Sequence, residues 1–433
     1  MNGWGRYPVV DAEVFAPVSS AGMQELLSRT SGRGVTPRGL GRSYGDSSLG
    51  ERMLSSRWLN HFLSFDEESG VLWCEAGNSL SDILRLFVPR GWFLPVTPGT
   101  QFVTVGGAIA SDVHGKNHHV AGCFGEHVES LDVLTGDGAV IRCSPEERSD
   151  LFHATCGGMG LTGMILSAAI RLKPLRSAYI DQTTFKARSL GESLELFETH
   201  AGAPYSVAWI DCLAGGRSLG RSLLMTGDHA PEGPLRVSGG KRMGMPVDMP
   251  AALLNRYSVR AFNTLYYHRI RGSQVKSRVH YEPFFYPLDS VSDWNRMYGR
   301  NGFTQYQFVV PKDGGREAMQ VILQTIADSG RGSFLAVLKA FGRENGNLLS
   351  FPMEGYTLAV DLKLEQDLFY LLDRLDAMVL DHGGRLYLTK DARMSADTFR
   401  RSYPRLEPFM AVRDAYGATG RFVSHQSRRL GVD

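Results

Sequence analysis

No apolar run of the roughly 18 residues that a membrane-spanning helix needs occurs anywhere in the chain, and residues 1–30 hold no long apolar core behind a basic start. The expectation is a protein without signal peptide or transmembrane segment, cytoplasmic or held peripherally at the cell membrane. Cysteine is scarce. Positions 74, 123, 143, 156 and 212 are odd in number and form no CxxC pair, which argues against a zinc site or a disulfide framework. An excess of one charge is missing too: 47 lysines and arginines against 45 aspartates and glutamates leave a formal +2, too even a balance for a nucleic-acid partner. No GxxxxGK[ST] occurs, since His114-Gly115-Lys116-Asn117 lacks both the earlier glycine and the hydroxyl. That sets aside a P-loop hydrolase or kinase.

What the chain has in quantity is glycine, at 49 of 433 residues, and two stretches are especially rich in it. The stretch Thr97 to Gly125, TPGTQFVTVGGAIASDVHGKNHHVAGCFG, sets glycines 99, 106, 107, 115, 122 and 125 among small or β-branched residues. Upstream, Gly32 to Gly45 (GRGVTPRGLGRSYG) has the same character plus three arginines. Glycine lets backbone lie directly against a large flat ligand, and amide N–H groups with guanidinium forks suit a pyrophosphate. Two such loops point to one extended ligand, a dinucleotide flavin held across both.

Two lures lead elsewhere. Gly158-Met159-Gly160-Leu161-Thr162-Gly163 fits GxGxxG, with Asp181 near the offset of a ribose-binding acid. A helix is expected before it and a strand after it, whereas a nicotinamide site needs the reverse, so the segment reads as a turn that can still touch a cofactor. His114, His118, His119 and His127 fall close together, but Gly115 and Asn117 oppose a helix between the first two, and no carboxylate or thiol set completes a metal shell. Histidines packed around a cofactor are the better account, and no metal is expected.

A length of 433 residues implies two domains. Up to about Lys173, short strands alternate with short helices. Phe62–Asp66 and Val71–Glu75 flank a Glu-Glu-Ser-Gly turn; Asn78 or Ser79 caps a helix burying Leu80, Ile83, Leu84 and Phe87. Residues 128–135 and 139–143 form a second hairpin around Gly136-Asp137-Gly138; Ser149 caps a helix through Thr155, and 164–172 is a buried strand. Beyond Pro174, residues 305–310, 334–339 and 356–362 read as strands, while 316–327 and 366–380 have helical spacing, giving a sheet with helices on one face. A loop of low periodicity covers about 227–272. The tail from Asp391 is helical and packs against the first half. The fold class is α+β, with domain bounds 1–178, completed by 385–433, and 179–384.

RGLGRSYGD (38–46), PVTPGTQFVTVGGAIASDVHGKNHH (95–119), GGMGLTGMI (157–165), FTQYQFVVP (303–311) and GGRLYLTKDAR (383–393) together resemble the decaprenylphosphoryl-β-D-ribose 2′-oxidase family. That family lies within the vanillyl-alcohol-oxidase superfamily of FAD proteins, whose cofactor domain is of PCMH type. The likeness runs from Trp4 to about Arg429 and is weakest between Gly227 and Gly272.

The resemblance implies an FAD-dependent oxidation of the 2′-hydroxyl of a polyprenyl-phosphoryl ribose, with hydride passing to flavin N5. This is the first half of a 2′-epimerisation for cell-envelope arabinose, which a separate NAD(P)H-dependent ketoreductase completes. It assigns the pyrophosphate to Gly39, Leu40, Gly41, Arg42 and Ser43, with Arg38 and Tyr44 as further cofactor contacts. The flavin falls to Pro98, Gly99, Thr100, Thr104, Gly106 and Gly107, then Ser111, His114, Gly115 and Asn117, with Gly160, Gly163 and Ile165 from the turn and Tyr387 and Lys390 from the tail. Some superfamily members attach FAD through a histidine in the first loop; Ser43-Tyr44 offers none, so FAD is expected to be dissociable.

Lys390 is the expected catalytic ammonium, stabilising negative charge on the reduced flavin; without the motif it would read as a surface lysine. His114 or Tyr44 would take the hydroxyl proton, and the sequence does not choose between them. Lys116, Gln305, Gln307, Lys339 and Tyr387 would meet sugar and phosphate. Thr357 and Ala359 stand where well-known family members carry asparagine and cysteine, which leaves the sugar open. A lipid-linked sugar phosphate is the implied substrate, and Tyr266, Tyr267, Arg269 and Arg271 suggest a peripheral membrane contact. Two alternatives stay open: a sister FAD enzyme acting on a soluble sugar alcohol, aldonolactone or hydroxy acid, and a non-catalytic binding protein.

Overall fold

The structure, a computed structural model, describes residues 1–30, 32, 34–237 and 243–433. Arg33 of the first glycine-rich run and residues 238–242 of the expected 227–272 loop lie outside the described residues.

In the first half, the Phe62–Asp66/Val71–Glu75 hairpin forms with its turn where the alternation places it. It joins an antiparallel five-stranded sheet in the order Phe62–Asp66, Val71–Glu75, Met164–Arg171, Val128–Leu134, Val140–Cys143. Helix Leu80–Phe87 begins at Ser79, whose hydroxyl accepts from the Asp82 amide. Leu80, Ile83, Leu84 and Phe87, spaced on one helical face, bury into the core of this sheet. Beside it, Thr36–Arg38 and Glu13–Phe15 flank Arg52–Ser55 in a parallel three-stranded sheet.

The second half is an antiparallel eight-stranded sheet. Its order is Gln274–His280, Tyr179–Ala187, Ser222–His229, Tyr205–Ile210, Ala336–Phe341, Gly355–Lys363, Phe303–Pro311, Arg385–Leu386. Helices Leu190–Thr199, Gly315–Ser329 and Leu368–Asp381 share one core with it. Because side chains alternate across a strand, Tyr306, Phe308, Leu338, Leu358 and Val360 point to that helical core, while Gln305, Gln307, Val337, Lys339 and Ala359 line a cavity on the other face.

The tail forms helices Ala396–Ser402, Leu406–Ala415 and His425–Leu430. It is tied to the first half by the fully buried Arg413, which donates to the carbonyls of Leu161 (3.0 Å), Phe422 (3.0 Å) and Val432 (2.6 Å).

Four local expectations are corrected. Helix Ser149–Thr155 is preceded by Arg148 in a left-handed conformation (φ 50°) and has no side-chain cap, so Ser149 is its first residue instead of its cap. The glycine-rich stretch holds two short helices, Val105–Ala110 and His118–Ala121. The expected loop of 227–272 contains the 13-residue helix Arg256–His268, started by Asn255, whose side chain accepts from the amides of Tyr257 and Ser258. Strand Arg385–Leu386, placed by sequence with the first domain, pairs with Val309 and Phe308 of the eight-stranded sheet.

Candidate active site

One cavity of about 750 Å³ lies where the glycine-rich loops meet the open face of the eight-stranded sheet. The two loops touch: a Cβ on Gly39 would stand 2.3 Å from Thr104 Oγ1. That hydroxyl caps Val105–Ala110 by accepting from the Gly107 amide at 3.1 Å. This changes the reason for the glycines. Gly39 and Gly115 are required by neighbouring protein, namely Thr104 and the Thr97 carbonyl with Asn117, and Gly106 packs tightly on Ala76, whereas Gly99 faces open space.

The first loop is also pinned to the turn that follows strand Arg385–Leu386 and carries Lys390. The Tyr44 amide donates to the Thr389 carbonyl (3.0 Å), and a Cβ on Gly45 would lie 1.7 Å from the Asp391 carbonyl oxygen. Arg429 clamps the same junction, bonding Asp46 and Asp391 at 2.8 Å each. The result sets the Lys390 ammonium 3.8 Å from the centroid of the Tyr44 ring, a cation–π contact.

Among the described residues, no backbone carbonyl accepts from the N–H groups of Gly39, Leu40, Gly41, Arg42 or Ser43, all of which line the cavity. A run of unspent amides is an anion cradle. Arg38 plays a different part: its guanidinium donates to the carbonyls of Ser48 and Asn2 (2.9 Å each) and shapes the loop. Arg42 stacks on Trp4 at 4.1 Å, and burial lowers its pKa against the nearby Asp289 and Asp293. Pro98, Thr100, Ser111, Gly160, Gly163 and Ile165 complete this part of the wall.

The GxGxxG turn lies between helix Ser149–Thr155 and strand Met164–Arg171, and Asp181 is spent on an exposed ion pair with Arg278. An anion cradle opening into a slot between loops 38–44 and 98–115 fits an extended dinucleotide such as FAD.

On the sheet side, Gln307 Nε2 donates to His114 Nε2 at 3.1 Å, which leaves the imidazole proton on Nδ1, a buried atom with no partner among the described residues. His114 is wrapped by Phe341, Phe351 and Tyr387. Burial, with the positive charge of Lys339, drops its pKa well below 6.5, so it is neutral. The Tyr44 phenol moves well up, chiefly by burial, and stays protonated.

Tyr387 lines the cavity but donates its hydroxyl to the Ser111 carbonyl (3.0 Å), so it serves as a stacked wall on Phe351. Lys116 donates to the Phe284 carbonyl, and its pKa is lowered to about 7 by burial; that of Lys339 falls to about 8 for the same reason. Two expected contacts stand outside the cavity lining. Asn117 is buried and donates to the Pro95 carbonyl (2.8 Å). Thr357 donates to the Phe308 carbonyl (2.7 Å) and supports Gln307 from behind.

Three residues that matter here have no role in the sequence reading. Asp361 is fully buried on the pocket strand and accepts from Gln305 Nε2 (2.6 Å) and the Tyr298 hydroxyl (3.4 Å). Burial raises its pKa and lowers that of Lys390, and each charge pulls the other back toward its ionised form. Asp112 is a hub: Oδ1 accepts from the Gly125 amide, and Oδ2 from Asn345, Asn347 and Ser350 (2.6–2.9 Å). It thereby fastens the second half to the His114 loop. Trp4 comes from the amino-terminal arm, its amide bonded to the Ser43 carbonyl (2.9 Å). A lone aspartate in an apolar strand, or a tryptophan near a terminus, carries no local pattern that would have marked it.

Comparison with known proteins agrees with this geometry. A family profile described as an FAD binding domain matches residues 12–144. Decaprenylphosphoryl-beta-D-ribose oxidase of Mycolicibacterium smegmatis is 38% identical over 99% of this chain and 97% of its own length. An uncharacterised Streptomyces coelicolor protein, from the mprA 5′ region, is 32% identical over 82% of this chain and 100% of its own. A rat Delta(24)-sterol reductase matches 39% of this chain at 30% identity, over 32% of its own length. The architecture is therefore α+β with a PCMH-type FAD-binding fold, and FAD is the cofactor. This chain belongs to the decaprenylphosphoryl-β-D-ribose oxidase family of FAD-dependent oxidoreductases.

Proposed function

We propose that the cavity oxidises the 2′-hydroxyl of a polyprenyl-phosphoryl-β-D-ribose to the 2′-keto sugar, the substrate class for which the mycobacterial relative is named. The observation that carries this reading is the two-ended cavity. Lys390, Lys339, Gln305 and Gln307 line one part, and Trp209, Met225, Phe262, Tyr266, Phe334 and Val337 line another. The aromatic part is knit together, with Trp209 Nε1 donating to the Phe334 carbonyl (3.0 Å) and the Trp209 and Tyr266 rings 4.7 Å apart. Amines and amides suit a sugar phosphate, and the aromatic part suits an isoprenoid tail.

Bound FAD supplies the acceptor for the hydride that leaves C2′. The chain's own residues must bind the sugar and take the hydroxyl proton. Tyr44 holds its own proton, and the lone pair of His114 Nε2 already receives the Gln307 amide. The group with a lone pair to offer is the Lys390 amine, whose ammonium form is weakened by burial and by the charge of Lys339, and supported by Asp361. Once it has taken the proton, Lys390 is the fixed ammonium that the site needs as negative charge builds up. In this reading residues 1–178 with the tail hold the cofactor, non-covalently, and residues 179–384 hold the substrate. A separate NAD(P)H-dependent ketoreductase completes the inversion, and the enzyme works at a membrane.

Anaerobic addition of polyprenyl-phosphoribose should bleach the flavin absorbance, whereas free ribose, aldonolactones and hydroxy acids should leave it unchanged. Bleaching by the soluble compounds in preference would transfer the reading to the sister class of FAD enzymes.

A further inference from the structure

Helix Arg256–His268 has apolar side chains on both faces. Val259, Asn263 and Tyr267, four residues apart, are buried, and Asn263 is anchored by donating to Asp211 Oδ1 at 2.8 Å. On the opposite face Tyr257 is 66% exposed and Leu265 75%, continued by Leu253 at 54%. An apolar ridge of this kind in water calls for a partner. The chain segment that carries it is charged in one sense only. From Pro250 to Tyr281 the chain carries Arg256, Arg260, Arg269, Arg271, Lys276 and Arg278 and not one carboxylate, in a protein whose overall formal charge is +2. Of these, Arg278 is paired with Asp181. Phe262 connects the ridge to the active site, being 43% exposed and also part of the cavity lining with Tyr266 one turn on.

We infer that this helix is the surface by which the enzyme rests on an anionic lipid bilayer, and that the lipid-linked substrate enters the cavity past Phe262 directly from that bilayer. The second clause rests on the substrate reading above; the first does not. The physical fit is charge complementarity together with an insertable ridge. Leu253, Tyr257 and Leu265 enter the headgroup region while the flanking arginines meet lipid phosphates, as an interfacial helix does. The cavity's aromatic end lies beneath the same helix, so a polyprenyl chain reaches it without crossing water.

The test is cosedimentation of the FAD-loaded enzyme with vesicles of phosphatidylcholine and phosphatidylglycerol in equal amounts, and with vesicles of phosphatidylcholine alone. The enzyme should pellet with the first at low salt, be released by added salt, and stay in solution with the second. Arg256→Gln combined with Arg260→Gln should lower the partition coefficient about 25-fold, at about fivefold per arginine. Leu265→Glu should also abolish pelleting. Both variants should bleach normally with detergent-dispersed substrate. Wild-type enzyme that stays in solution with anionic vesicles, or variants that pellet as well as wild type, would overturn the inference. A concentration-dependent dimer lost in Leu265→Glu, with no vesicle binding, would assign the ridge to a second copy of this chain instead. Failure of the substrate reading alone would appear as intact pelleting without bleaching.

Discussion

The ammonium of Lys390 sits 3.8 Å from the centre of the Tyr44 ring, so a lysine near the end of the chain and a tyrosine in its first glycine-rich loop form one face of the reaction cavity. The contact exists because backbone holds both partners: the Tyr44 amide bonds the Thr389 carbonyl, and the Lys390 amide bonds that of Tyr387, at 3.0 Å each. The ring lies against the amine, and burial keeps the hydroxyl of Tyr44 protonated; in the proposed mechanism that hydroxyl takes no part in the proton transfer.

Tyr44→Phe should therefore keep the anaerobic bleaching rate within about tenfold of wild type, because the ring remains. Tyr44→Leu removes a cation–π contact worth about 1–2 kcal/mol and should slow bleaching more. Stopped-flow absorbance reads both. Equal losses in the two variants would give the hydroxyl a direct role.

The cofactor is expected to leave the protein on denaturation. The first loop offers Ser43 and Tyr44 where covalent attachment would need a histidine. Acid precipitation should give a colourless pellet and a yellow supernatant; a yellow pellet would mean a covalent bond.

Thiol-directed inhibitors that act within the cavity should form no adduct. Its pocket strand presents Ala359, and all five cysteines are buried away from the cavity lining, Cys74 and Cys212 with thiol pKa values raised to about 12 by burial. Intact-mass measurement should show unmodified wild type and a labelled Ala359→Cys variant.

Stability should fall on acidification through the histidines. His118 accepts from the Gly342 amide at Nδ1 (3.2 Å), and burial drops its pKa from 6.5 to about 3. His229 is lowered to about 3 in the same way. Below the unfolded value the unfolded chain gains a proton that the native site refuses, so stability present above pH 6.5 is lost as pH falls toward 3. Each histidine contributes a slope of about 1.4 kcal/mol per pH unit. His118→Asn keeps an acceptor for Gly342 and should reduce that slope by one proton in denaturant titrations at several pH values.

Much of this was legible in the sequence where a local pattern had one cause. The hairpin at Phe62–Glu75 and helix Leu80–Phe87 follow from alternation, a turn and a cap, and Gln305 and Gln307 reach the cavity because a strand puts i and i+2 on one side. Patterns with two causes were misread. Val105–Ala110 contains two adjacent glycines, which weaken a helix intrinsically; the Thr104 cap and packing against Ala76 hold it. Helix Arg256–His268 is apolar on both faces, which blurs its period. Asp361 is held by Gln305 and Tyr298, and the Oδ2 of Asp112 by Asn345, Asn347 and Ser350, all more than fifty residues away in the chain, so no local pattern announced a role.

The most direct test of the account is the pH dependence of flavin bleaching in wild type and Lys390→Met under anaerobic single-turnover conditions. Burial lowers the Lys390 pKa, so the wild-type rate should climb with pH as the amine loses its proton and then level off. Lys390→Met should retain flavin absorbance, bleach about 100- to 10,000-fold more slowly and lose that climb. A Lys390→Met enzyme that holds FAD and bleaches at the wild-type rate with the same pH profile would contradict it.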